Sequence, residues 1–173
     1  MYRCYLLFFF LFGLTRLYAQ DYHPSPSNKE NLLFYIQHNQ GKNAFIYRLN
    51  YLRNKELNQK EPIIVSRQLF DKDGSVRPLT RVQQNFAYGI KCKKINSKLF
   101  EAEIISLPSQ KLLLIIPDNG KPYIETVVNN QTIKLNRIFL NIKNGTSGLN
   151  TKVESILFYG KIKNKEMVIK LNL

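Results

Sequence analysis

The chain has 173 residues, 26 lysines and arginines against 12 acids, a net charge of +14 and 44% hydrophobic residues. That length and apolar content suit one packed domain, so a disordered chain is excluded and no second domain is called for. No HExxH or CxxC spacing, no GxSxG turn and no glycine-rich phosphate loop occurs, so the familiar metal, serine-nucleophile and nucleotide sites have no sequence support.

Residues 1–19, MYRCYLLFFFLFGLTRLYA, read as a secretory signal peptide. Arg3 supplies the positive start, Leu6 to Leu14 an apolar run broken only by Gly13, and Ala19 a small residue before a cut ahead of Gln20. A spanning helix needs about 20 apolar residues, and this run is shorter. A retained anchor is the alternative. Cys4 precedes the apolar run, where a lipidated cysteine would follow it. Cleavage would remove Arg3 and Arg16, leaving +14 − 2 = +12, with no transmembrane span and with Cys92 lacking an internal disulfide partner. The expected location is then secreted or periplasmic, with envelope association. Nucleic acid is not an expected partner there; anionic envelope polymers, lipid headgroups and acidic proteins are.

Residues 20–31, QDYHPSPSNKEN, have the composition of a flexible leader, and residues 32–173 that of a single β-rich domain. Leu32 to His38 and Asn43 to Tyr51 flank Asn39-Gln40-Gly41-Lys42, a hairpin signal. In the second of these strands Phe45, Tyr47, Leu49 and Tyr51 share a face. Pro62 to Phe70 closes on Asp71-Lys72-Asp73-Gly74, a plain turn, since Val76, Arg77 and Pro78 follow where a calcium loop needs oxygen ligands. Between Pro78 and Tyr88, Leu79, Val82, Phe86 and Ala87 have helical spacing; a short helix capping one end of the sheet is expected, ended by Gly89. Leu99 to Ser106 alternates, with Phe100, Ala102 and Ile104 inward and Glu101 and Glu103 outward. Lys111 to Ile116, Tyr123 to Val128, Thr132 to Ile142, Val153 to Ile162 and Glu166 to Leu173 complete the series. Turn signals every 8–14 residues predict an all-β fold, an antiparallel β-sandwich or partly closed barrel with one short helix.

Little in this series carries chemistry. Glu101 and Glu103 could pair for glycoside hydrolysis, but outward acids opposite lysines are the commoner arrangement. Cys92 lies between Lys91 and Lys93 with no histidine placed to activate it, and reads as a free strand thiol. The scattered lysines read as solvated strand positions. The sequons at Asn130-Gln131-Thr132 and Asn144-Gly145-Thr146 have meaning only in a eukaryotic secretory pathway. One binding surface is suggested: Tyr35, Tyr47, Tyr51 and Tyr123 with Arg48 and Arg67, lining a sugar- or lipid-binding face; core tyrosines with their hydroxyls at the sheet edge are the alternative reading.

Asn31-Leu32-Leu33-Phe34-Tyr35-Ile36-Gln37, Asn43, Ile46-Tyr47, Leu49-Asn50, Phe86-Ala87-Tyr88-Gly89 and Leu135-Asn136-Arg137-Ile138-Phe139 together resemble domain-of-unknown-function family 4833. The resemblance covers nearly all of the chain after residue 19. It implies a short exported protein of a Gram-negative periplasm or outer envelope, and it brings no catalytic or ligand residues. Where the family often has Trp-Ile-Arg-Tyr, this chain has Arg67-Gln68-Leu69-Phe70 and no tryptophan. The function expected is non-enzymatic binding of an envelope component or protein partner, without cofactor or metal. A barrel carrying a small apolar ligand is the alternative, and an enzyme with a cryptic site the third reading.

Overall fold

The computed structural model describes residues 23–173; the expected signal peptide and the start of the leader lie outside them. β1 (Leu32–His38) and β2 (Gly41–Leu49) form the first hairpin. β3 (Ile63–Gln68) pairs with β2, and the short β4 (Val76–Pro78) pairs with β3. After helix α1 (Arg81–Phe86) comes an antiparallel meander: β5 (Ile90–Asn96), β6 (Leu99–Ile104), β7 (Lys111–Ile115), β8 (Tyr123–Val128) and β9 (Gln131–Ile142). β10 (Val153–Ile162) and β11 (Lys165–Asn172) end the chain as a hairpin beside β9. The β8–β9 and β10–β11 turns place Asn129, Asn130, Lys163 and Asn164 at positive φ, the backbone twist that two-residue hairpins demand.

All the strands belong to one curled sheet, a half-barrel, and β9 is its junction. One edge of β9 pairs with β10 from Lys134 to Ile142. Its other edge is shared: residues up to Leu135 pair antiparallel with β8, and residues from Arg137 pair parallel with β1. This makes the sheet mixed, where alternation and short turns had predicted antiparallel pairing throughout. A parallel partner 100 residues away in sequence leaves no local signal. At the hand-over, Tyr159 of β10 is opposite Arg137 and Gly160 is opposite Leu135, so Asn136 is an extra residue. Such a bulge reverses the in–out phase of the strand: Ile133 and Leu135 point inward before it, and Ile138 and Ile142 are the buried residues after it. Gly160 is required opposite the bulge, because a Cβ there would lie 2.0 Å from the Lys134 carbonyl oxygen.

The concave side holds the core. Phe34, Tyr47, Phe100, Ile104, Leu112, Leu114, Ile124, Ile138 and Phe158 are fully or almost fully buried. Phe34 and Tyr47 are cross-strand partners and stack with centroids 4.3 Å apart, an arrangement worth about 1 kcal/mol beyond the buried area.

The short helix lies where the apolar spacing predicts it, between Pro78 and Tyr88, but it packs differently. Thr80 and Gln83 form a reciprocal capping box, which accounts for its position. Yet none of its residues is buried, and Val82 and Phe86 are 60% and 66% exposed. Of the apolar stripe only Leu79, just before the helix, packs on the core. The segment is anchored behind the helix instead. Tyr88 stacks on Phe45, its carbonyl accepts the Tyr47 hydroxyl at 2.7 Å, and Gly89 lies so close to Gln84 that a Cβ would sit 1.9 Å from its carbonyl oxygen. Among the described residues no helix is long and apolar enough to cross a membrane.

Candidate functional site

The six residues expected to share one surface are dispersed. Tyr47 is a core residue; with its hydroxyl bonded and its ring enclosed, burial and then the neighbouring Tyr88 hold its phenol well above the ordinary range. Arg67 faces the concave side at the lip of the half-barrel, opposite Phe45 on one strand and Arg77 on the other. Tyr123 lies on the β8 arm with Lys134 Nζ 4.0 Å above its ring. Tyr51 is outside the strands, bridged to Leu57 and exposed. Arg48 is on the outer face, where its guanidinium donates to the Asn28 carbonyl at 2.9 Å and to Ser66 Oγ at 3.3 Å. Of the six, only Tyr35 enters the cluster described next.

That cluster lies on the outer face of β1, β9 and β10. Just after the bulge, Arg137 is flanked by Tyr35 on β1 and Tyr159 on β10, both directly opposite it in register. Its guanidinium carbon is 4.9 Å from the Tyr159 ring, 5.0 Å from Phe139 and 5.9 Å from Tyr35, within cation–π range of all three. The rings supply no counter-charge. Among the described residues Arg137 joins no ion pair, and its buried Nε has no hydrogen-bond partner. Burial raises the Tyr35 phenol pKa, and the charge and hydrogen bonding of Arg137 pull it back; the hydroxyl is neutral at physiological pH.

One row further along, residues 23–28 cross this face. His23 meets the Phe139 ring edge-on at 4.8 Å and His23 Nε2 lies 3.2 Å from the His38 carbonyl. The Pro24 carbonyl accepts from the fully buried Gln37 at 2.8 Å, and Ser27 and Gln68 exchange two hydrogen bonds. The segment whose composition suggests a flexible leader therefore makes defined contacts here from residue 23 onward. Gln37 Oε1 is buried without a partner, a second unsatisfied polar atom on the same face as Arg137 Nε.

A different kind of cavity opens where the half-barrel fails to close. Between β3 and β5 is a groove of about 460 Å³ floored by Ile63, Val65, Leu79, Ile90, Cys92 and Ile105, with Lys60, Glu61, Gln84 and Asn85 in its walls. Burial, and then the Glu61 charge, push the Cys92 thiol up to about 11. It is protonated at neutral pH, the state of an inert thiol. Glu101 and Glu103 do not form a catalytic pair: both bind Lys111, at 3.4 and 2.6 Å. Among the described residues no group of histidine, cysteine and acid side chains is arranged to hold a metal.

A family model described as Domain of unknown function (DUF4833) matches residues 34–170. The chain belongs to the DUF4833 family. No curated protein and no solved structure matches it. The DUF4833 match spans both the Arg137 cluster and the seam groove. Arg137 and Phe139 lie in the Leu135–Phe139 stretch that carries the likeness in sequence, but the reading from composition missed them as site residues. A usable signal was there: Leu135-Asn136-Arg137-Ile138 breaks strict alternation, and a broken phase inside a long strand marks a bulge.

Proposed function

We propose that this DUF4833 domain is an exported, non-enzymatic binding module that holds an anionic glycan on its outer face, with Arg137 as the anchor. The observation that carries this reading is the half-buried guanidinium set between three aromatic rings without an acid. A cation in that setting has lost part of its hydration and gained no full charge partner, so an incoming carboxylate or phosphate meets a pre-desolvated donor. Rings of Tyr35 and Tyr159 on either side offer flat apolar surface to a sugar ring, and their hydroxyls offer donors and acceptors. The net charge of the chain adds long-range attraction for a polyanion. Export, inferred from residues 1–19, would place such a module among envelope polymers rather than nucleic acid.

Calorimetric titration of the folded protein with polygalacturonate and with neutral dextran tests this at low and moderate salt. Polygalacturonate should bind, dextran should not, and Arg137→Gln should weaken binding about 10- to 100-fold, the worth of one hydrogen-bonded charge. Binding unaffected by Arg137→Gln, with the variant's unfolding midpoint unchanged, refutes the site. No binding at low salt refutes the function.

A further inference from the structure

The seam between β3 and β5 brings two unpaired backbone edges together. β5 ends the sheet: it pairs with β6 on one side, and among the described residues no strand pairs with its other side. β3 is in the same condition over Ile63–Val65, because β4 covers only Ser66–Gln68. Cα atoms of β3 and β5 come within 8 Å, yet no ladder joins the strands. Unpaired strand edges are templates for another strand.

The side chains say what kind. Ile90 and Cys92 of β5 face the groove, and Lys91 and Lys93 alternate with them on the exposed side. Across the ladder Lys91 faces Glu103 and Lys93 faces Glu101. Those same carboxylates are bound to Lys111 of β7, so two acids serve three cations. On the seam side of β5 no strand stands opposite either lysine among the described residues, and the one acid lining the groove, Glu61, lies before β3 and outside any ladder with β5. A further strand with acids at alternate positions would complete both rows, and its other residues would point toward the apolar floor.

We propose that the β5 edge is a strand-acceptor site for an extended segment of another protein in which acidic and apolar residues alternate. Backbone hydrogen bonds to β5 supply affinity, the groove floor takes the apolar side chains, and Lys91 and Lys93 select for acids. A strand between two others needs about 9.6 Å, two paired-strand spacings, so the seam must widen by at least about 1.6 Å to take it. No ladder hydrogen bond opposes that movement and no residue of α1 in the adjoining wall is buried; the Tyr47–Tyr88 hydrogen bond and the Tyr88–Phe45 stack hold the start of β5, so the opening is greatest beyond Ile90. This site is independent of Arg137.

A short peptide alternating valine and glutamate, titrated against the full domain with amide hydrogen exchange as readout, tests the proposal. The peptide should bind, slow exchange specifically along Ile90–Asn96, and lose roughly tenfold in affinity in Lys91→Glu/Lys93→Glu, a pair of exposed substitutions. A valine–lysine peptide should bind more weakly, and a proline-interrupted acidic peptide should not bind, since proline cannot pair. Absence of binding, protection confined to strands other than β5 and the facing Ile63–Val65 edge, indifference to the charge reversal, or equal binding of the proline-interrupted peptide each overturns it. So does a domain that dimerises through β5 without peptide, which would make the occupant a second copy.

Discussion

The Arg137 cluster and the β3–β5 seam are built on opposite principles. The cluster stands on three strands at the centre of the sheet, each paired on both sides, and its geometry follows from register: Tyr35, Arg137 and Tyr159 are direct neighbours across two ladders. The seam stands on two strand edges that do not pair, walled by a helix with no buried residue. Central strands hold side chains in fixed positions, which suits recognition of a small rigid group. Edges leave backbone donors and acceptors free, which suits recognition of another chain. The lesson is that one sheet can offer a rigid side-chain site and an adaptable backbone site without either needing a loop.

The sharpest way to break this contrast is at the bulge. Gly160→Ala would drive a Cβ into the Lys134 backbone, in a region where both neighbouring strands are pinned. We expect a loss of roughly 3–4 kcal/mol in chemical unfolding, together with loss of polygalacturonate binding because Tyr159 is displaced. If Gly160→Ala unfolds at the same denaturant concentration as the parent, the central site is not rigid as described.

A smaller effect is expected at the seam. Tyr47→Phe removes the hydroxyl that holds the Tyr88 carbonyl from inside the core. It should cost about 1–2 kcal/mol, the penalty for leaving a partly buried carbonyl unpaired. Amide exchange should accelerate in α1 and the start of β5 but not along β9. Uniform acceleration would show that the seam and the centre open together, which would remove the distinction between them.

The smallest effect concerns the segment crossing the outer face. Burial, and then the charge of His23, lower the His38 pKa, while Asp71 opposes them; its Nδ1 accepts from the Gln40 amide, as a neutral ring must. As pH falls below about 6.5 the unfolded chain takes up this proton first. The neutral ring's contribution is thus full above that pH and declines below it, until the folded imidazole also protonates. A thermal melt series from pH 7.5 to 5 should show a loss of under ~1 kcal/mol from this group, absent in His38→Gln. A His38→Gln series as steep as that of the parent would assign the slope to other groups.

Much of the fold was legible because it is local. Phe100, Ala102 and Ile104 alternate with Glu101 and Glu103, and the structure places the first three in the core and the acids beside Lys111. One strand escaped and one was seen only in part. β4 has only three residues, and β5 was read as strand around Cys92 without bounds, because Ile90-Lys91-Cys92-Lys93-Lys94 is too polar to announce a buried face. The candidate site was less legible. The tyrosines and arginines were recognised as a reservoir of binding groups, but which of them meet depends on register between strands far apart in the chain. Tyr47, grouped with the binding tyrosines, shares the inward face with Phe45 and Leu49 and went to the core. Arg137 waited on a parallel pairing with β1.

By itself, then, the sequence determined the β-rich class, most of the hairpins, which residues of those strands point inward and membership of the family, because alternation and turn residues act over a few positions. Only the tertiary structure decided that β9 would serve two partners on one edge, that an extra residue would turn Arg137 out among aromatic rings, and that β3 and β5 would face each other unpaired. Those outcomes rest on register between distant strands and on where a curled sheet stops closing. Neither is encoded in any short window of the chain.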